Sequence, residues 1–249
     1  MIEANINWPH PPPGWSLANH EVHVWASSLA ADAEAIATYT SALSSDEIER
    51  VARFRFELHR NRFITGRGWL RTVLARYLDR QPGELRFEYN ENGKPSLHGS
   101  ELAFHFNLAH CGDLAVLAIT RAAEVGVDVE RVRPLKDADD IADRFFSPTE
   151  SDGLKALTAA EKPAAFFNLW TRKEAWLKAT GEGLSDSLNQ VEVSFLPRDK
   201  AQLVRLFGKT AQIDQWTLRE LAPVAEFTGA VVVQAPNLAV RCWRWFEPG

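Results

Sequence analysis

The sequence predicts an α+β protein made of two related halves, and three observations predict it. Stretches with strand-like alternation stand beside stretches with helical spacing, and neither type takes over the chain. The order strand, helices, several strands occurs twice, with a join near Arg121 to Glu124. Of the 249 residues, 45% are hydrophobic, which supplies a substantial core over a length fit for one large domain or two smaller ones.

Taken in order, residues 1–19 are Pro-rich and aperiodic, an irregular or polyproline-like segment. Alternation in "EVHVW" predicts a strand. "LSSDEIERVARFRF" predicts a helix with Ser45 or Asp46 as its N-cap. A longer helix runs from about Asn61 to Leu78, because Phe63, Leu70, Val73, Leu74, Tyr77 and Leu78 recur at helical spacing. Arg67 and Arg71 share another face, and Pro82-Gly83 ends the helix. Strands "ELRFEY", "LAFHFNL" and "LAVLAIT" follow, separated by the turns "NENGKP" and "AHCGD".

The second half opens on the strand "VGVDVE". Helices "DADDIADRFF" and "SPTESDGLKAL" come next, then a stronger helix from about Pro163 to Thr180. Pro163 near its first turn and Gly181 just past its end stand where helix termini favour them. "QVEVSFL", "WTLREL", "FTGAVVVQ" and "LAVRCWRW" predict the closing strands. The expected division is an irregular segment at 1–19, an N-terminal α/β unit at 20–122 and a C-terminal one at 123–249.

Composition narrows the function. A net charge of -5 argues against a general nucleic-acid binder. No apolar run approaches the roughly 20 residues that would span a bilayer. "MIEANINWPHPPPGW" lacks the basic and apolar regions of a secretory signal. Cys111 and Cys242 are the two cysteines and form no CxxC pair, which disfavours a disulfide scaffold or zinc site and fits a reducing cytoplasm. From Arg50 to Arg76 lie eight arginines opposed only by Glu57, a local excess suited to a phosphorylated ligand or to a solvated helix face.

Two acids interrupt the valines of "GVDVERVRP". Side chains alternate along a strand, so Val125, Val127 and Val129 share one side while Gly126, Asp128 and Glu130 share the other. That face is either a solvated acidic surface or a pair of hard oxygen donors suited to Mg²⁺ rather than zinc. In "FFNLWTRKEAWLKATGEGL", Glu174 stands four residues after Trp170 and four before Lys178, at the edge of an aromatic stripe. Taken alone, the helix reads as structural.

"NENGKPSL", "FNLAHCGD", "GVDVERVRP", "RFFSPTE" and "LWTRKEAWLKATGEGL", in this order and spacing, resemble the 4′-phosphopantetheinyl transferases of the surfactin-synthetase-activating type. The resemblance implies a pseudo-dimer of two similar α/β subdomains with the active site in the cleft between them. It implies transfer of 4′-phosphopantetheine from coenzyme A to a serine of an apo acyl or peptidyl carrier protein, releasing adenosine 3′,5′-bisphosphate. Mg²⁺ is the implied metal, with Mn²⁺ as an alternative. Asp128, Glu130 and Glu174 take the metal-binding positions, and Glu174 is also the candidate base. Lys178 takes the place of a lysine near the leaving group. Arg50, Arg62, Lys94 and His110 take coenzyme A-binding positions, with Asp128 and Lys178 beside them. Two departures stand out: Ala109 and Cys111 flank His110 where the family usually has serines. Cys111 reads as a small loop residue.

The implied protein is a cytoplasmic monomer with no nucleic-acid or membrane partner. Carrier proteins of this kind typically present an acidic helix, and an enzyme at -5 cannot attract them by overall charge. A local basic or apolar patch near the cleft is therefore expected. The acids alone also suit a Mg²⁺-dependent hydrolase of nucleotide diphosphate bonds, and the fold alone suits a non-catalytic coenzyme A binder.

Overall fold

Valines on two facing sheets form the middle of the molecule, and a helical layer covers each outer face. The computed structural model describes residues 6–99, 104–181, 186–207 and 213–245. The first half contains β1 (Glu21–Ser28), α1 (Ala33–Ser41), α2 (Ser45–Val51), α3 (Glu57–Leu78), β2 (Phe87–Tyr89), β3 (Pro95–Leu97), β4 (His105–Cys111) and β5 (Leu114–Thr120). The second contains β6 (Val125–Arg131), α4 (Ala138–Phe145), α5 (Pro148–Lys155), α6 (Lys162–Thr180), β7 (Val191–Val193), β8 (Leu203–Leu206), β9 (Thr217–Leu221), β10 (Phe227–Val233) and β11 (Ala239–Arg244). The mixed content is the α+β class that the patterning predicts, arranged as two α/β subdomains.

The larger sheet has the order β11-β1-β5-β4, and the second has β6-β10-β9. β5 shows why its sequence is apolar throughout. Leu114, Val116 and Ala118 join Val125, Val127, Val129, Val231 and Val233 between the sheets. Its alternate residues Ala115, Leu117 and Ile119 pack with Trp69, Leu70, Val73 and Leu74 of α3. A strand buried on both faces has no solvent side to carry polar residues. Ala230 and Val232 of β10 pack in the same way against Phe166, Leu169 and Trp176 of α6.

Several boundaries differ from the sequence expectation. α1 is an additional helix, capped where the Asp32 carboxylate accepts the Ala35 N–H at 2.9 Å. The N-cap of α2 is Ser44 rather than Ser45 or Asp46, and its backbone N–H donates to Glu47 Oε2 at 3.0 Å. α3 starts four residues before Asn61 and stops at Asp79, which adopts a left-handed conformation at φ 50°, ahead of Pro82-Gly83. β4 runs on through Cys111, so "AHC" is strand and only Gly112-Asp113 make the turn. β8 is a further strand, paired antiparallel with β7.

β11 lies parallel to β1 in the larger sheet. The chain's last described strand thus completes the sheet of the first half. The N-terminal segment is irregular yet packed: Ile6 is buried between the sheets, and Pro9 O accepts the Arg244 N–H at 3.0 Å. No helix among the described residues is long and apolar enough to cross a membrane.

Candidate active site

Gly126 sets the distance between β6 and α6. A Cβ there would stand 2.0 Å from Ala175 O and 2.4 Å from Ala179 N, so only glycine lets the helix backbone lie on this strand. Alternation then turns Asp128 and Glu130 toward the helix, because their valine neighbours face the other sheet. Asp128 is 6% exposed and Glu174 is 7% exposed, while Glu130 is partly open. Lys178, one turn beyond Glu174, donates to Asp128 Oδ1 at 2.6 Å and to Val127 O at 3.3 Å.

The electrostatics follow from this packing. Burial pushes the Glu174 carboxyl up to about 7; Lys178 opposes the rise, and Asp128 and Glu130 add to it. Burial likewise raises Glu130 above the usual carboxylate range, with Asp128 contributing. Glu174 is therefore a buried carboxyl raised above its ordinary range, not a plainly solvated glutamate of a surface pair.

Among the described residues, Asp128 Oδ2 and Glu174 Oε1 are buried without a hydrogen-bond partner. Orphaned carboxylate oxygens are costly, and a hard divalent cation satisfies them. The donors fit Mg²⁺ or Mn²⁺ in kind, since all are carboxylate oxygens. Among the described residues, no three acidic, histidine or cysteine side chains are drawn close enough together to hold an ion. Instead, the Lys178 ammonium stands as the nearest cation to Asp128.

β4 supplies the neighbouring wall. The Asn107 side chain accepts the Val127 N–H at 2.9 Å and so ties the free edge of β6 to the first half. His110 is held below the ordinary imidazole value by the protein around its ring, then by the charges of Arg62 and Lys178. Arg62 is itself anchored to Asp113 at 2.7 Å. Cys111 is no loop residue: its thiol donates to Glu130 Oε2 at 3.2 Å. Burial pushes that thiol up to about 11, so it stays a donor at neutral pH.

The remaining candidates stand apart from the acids. Lys94 reaches Glu124 at 2.5 Å, and His105 meets the other oxygen of that carboxylate at 3.0 Å. These two contacts, His105 foremost, bring Glu124 down to about 2. The three line a cavity of about 220 Å³ that also includes Phe104, Thr180 and Gly181, just beyond Lys178 along α6. Arg50 is exposed, with its guanidinium 4.9 Å from the Phe63 ring centre. Arg67 and Arg71 turn inward and hold the buried Glu47 at 3.2 and 2.6 Å, so this part of the arginine run is structural.

Sequence reasoning gave no role to Asn107, or to Lys173 on the aromatic stripe of α6. Lys173 is fully buried, 2.6 Å from Glu150, and also donates to Leu188 O and Val191 O. Glu150 in turn accepts the Val193 N–H at 2.9 Å. A charged residue inside an apolar stripe was the available signal. No comparable pattern marks Asn107.

Comparison with known proteins adds independent findings. A family model described as the 4′-phosphopantetheinyl transferase superfamily matches residues 124–232, and one described as 4′-phosphopantetheinyl transferase, N-terminal, matches residues 27–122. The 4′-phosphopantetheinyl transferase HetI of a Nostoc species is 38% identical over 240 residues, spanning 96% of this chain and 98% of its own. The 4′-phosphopantetheinyl transferase Sfp of Bacillus subtilis is 32% identical over 155 residues, spanning 62% of this chain and 67% of its own. A crystal structure of Helicobacter pylori holo-[acyl-carrier-protein] synthase in complex with coenzyme A overlays with a TM-score of 0.33 at 20% identity, covering 44% of this chain and 97% of that one.

Proposed function

This chain belongs to the 4′-phosphopantetheinyl transferase superfamily, and from that premise we propose how its residues divide the work. It is an enzyme that transfers the 4′-phosphopantetheine group of coenzyme A to carrier proteins. The finer reading assigns Glu174 as the base for an acceptor serine hydroxyl, and Asp128, Glu130 and Glu174 as the residues that hold Mg²⁺ or Mn²⁺. One observation carries it: buried carboxylate oxygens from β6 and α6, Asp128 Oδ2 and Glu174 Oε1, lack partners among the described residues beside Lys178.

A serine hydroxyl is a poor nucleophile, and a carboxylate within hydrogen-bond reach helps by taking its proton. Lys178 lies one helical turn from that base, placed to swing from Asp128 to a diphosphate and steady the leaving oxygen. A bound divalent cation supplies neutralisation of the diphosphate charge. His110 and Arg62 present positive and hydrogen-bonding groups to phosphate, Arg62 with a fixed guanidinium plane. Lys94 and Arg50 are assigned to coenzyme A as well, from positions outside the acid cluster. Adenosine 3′,5′-bisphosphate leaves with the broken diphosphate bond.

Intact mass of an apo carrier protein after incubation with the enzyme, coenzyme A and Mg²⁺ tests the assignment. The expected result is a gain of one phosphopantetheine arm, dependent on the divalent ion. An unmodified carrier beside cleaved coenzyme A would favour the hydrolase instead. The same proposal divides the chain at residues 20–122 and 123–249, with β11 crossing back to the first sheet. It also makes the protein a monomer, because one chain supplies both β4 and β6 around the acids. The free thiols of Cys111 and Cys242 support a cytoplasmic setting.

A further inference from the structure

Side chains of β4 reach across to β6 on both sides of Asp128. Alternation puts Asn107, Ala109 and Cys111 on one side of β4. Ala109 and Cys111 border the apolar layer between the sheets, while Phe106 and Leu108 pack with the α3 layer. Asn107 accepts the Val127 N–H at 2.9 Å, and the Cys111 thiol donates to Glu130 Oε2 at 3.2 Å. Val127 and Glu130 flank Asp128 in the sequence, so both contacts act on the stretch of strand that carries the acids.

The two acids of β6 are held in different ways. Asp128 is 6% exposed and has Lys178 on Oδ1, while its Oδ2 is buried without a partner among the described residues. Glu130 leaves the same side of the strand but is partly open, and its longer side chain has more rotamer freedom to lose. The Cys111 thiol is what restrains it. A donor on one carboxylate oxygen fixes the plane of the group and leaves the other oxygen to a cation.

We propose that Cys111 is a positioning residue for Glu130: its thiol orients that carboxylate toward the divalent cation held with Asp128 and Glu174, and so sets how tightly this chain holds the cation. The proposal rests on the metal reading above. Cys111 is not a ligand in it. Sulfur is a soft donor and Mg²⁺ selects hard oxygens, so the thiol serves by giving a hydrogen bond to the carboxylate that ligates. The competing role is packing, because Cys111 also borders the apolar layer. The two roles need different things of the side chain: packing needs volume, and orientation needs a donor hydrogen.

The test separates them with Cys111→Ser, which keeps a donor and loses volume, and Cys111→Val, which keeps volume and loses the donor. Mn²⁺ is the probe, its binding followed by electron paramagnetic resonance of the free ion, with coenzyme A present and no carrier protein. Cys111→Val should weaken Mn²⁺ binding about tenfold, the lower end of the range for a lost partner of a metal ligand. Cys111→Ser should stay within about threefold of the wild type, and Cys111→Ala, with neither property, should match Cys111→Val. Thermal unfolding in metal-free buffer checks that each variant is folded. Affinity that follows volume, with Cys111→Val like the wild type and Cys111→Ser weakened, would overturn the proposal in favour of packing. Equal weakening in all three variants would overturn it too, since the sulfur would then be the ligand. Unchanged affinity throughout would overturn the proposal alone. A wild type that binds no Mn²⁺ would overturn the metal reading and the proposal with it.

Discussion

Lys178 Nζ rests 2.6 Å from Asp128 Oδ1, an ion pair that joins the helix and the strand carrying the site's charges. Asp128 is nearly buried, so removing the ammonium leaves an uncompensated charge. Lys178→Met should therefore lower thermal stability, by about 1–3 kcal/mol, as well as turnover. Added Mg²⁺ should return part of the stability and none of the lysine's contribution to turnover. Thermal denaturation with and without Mg²⁺ reads the first effect; a variant as stable as the wild type in metal-free buffer would contradict it.

Glu174→Gln keeps the shape of the side chain and removes its basicity. Transfer should fall by at least about 10²–10⁴-fold, the range for a lost general base. Coenzyme A binding, followed by calorimetry, should stay largely intact. Turnover equal to the wild type would take Glu174 out of the chemistry.

The same carboxylate makes stability depend on pH in an unusual direction. Its folded value of about 7 lies above the ordinary 4.5, so between those values the folded chain holds a proton that the unfolded chain has released. Stability from this group is full below about 4.5 and is lost as pH rises toward and past 7. The loss is on the order of 3 kcal/mol in metal-free buffer. Urea denaturation at pH 5 and pH 8 should show it in the wild type and not in Glu174→Gln. Equal slopes in both proteins would assign the effect to other groups.

The alternation of "VGVDVE" made the two faces of β6 legible, and the 3.6 spacing placed Glu174 and Lys178 together. Neither pattern states how near the helix comes to the strand. That distance is set by the space above Gly126, a property of the packed pair. The aromatic stripe beside Glu174 hinted that it is not plainly solvated, but the depth of its burial, and with it the raised carboxyl, was out of reach. The arginine run misled in part because Arg67 and Arg71 find Glu47 on α2, a partner 20 and 24 residues away in sequence that only tertiary packing selects. α1 was missed because its Ala-rich sequence carries little apolar pattern, and Cys111 because a strand that outlasts its apolar run looks like a turn.

Lys94→Ala should mainly weaken coenzyme A binding. Its ammonium is already paired with Glu124, so the loss is buffered: about tenfold in KM, with kcat nearly unchanged. Steady-state kinetics with coenzyme A varied decides the point. A loss confined to kcat would place Lys94 in the reaction itself.

Gly126→Ala is the most severe single-methyl change this site offers. The added carbon meets Ala175 O at 2.0 Å and Ala179 N at 2.4 Å, both helix backbone, so no side chain can swing aside. Either α6 lifts from β6 by an ångström or more, or the strand bends away. Overpacking of this kind costs about 1–3 kcal/mol or more. The same displacement carries Glu174 and Lys178 away from Asp128, and about 1 Å of misplacement costs on the order of 10²-fold in rate. Stability and transfer should therefore fall together, measured by thermal denaturation and by carrier modification well below the unfolding temperature. A folded variant with full activity would mean that the acids and the helix do not depend on this contact for their meeting.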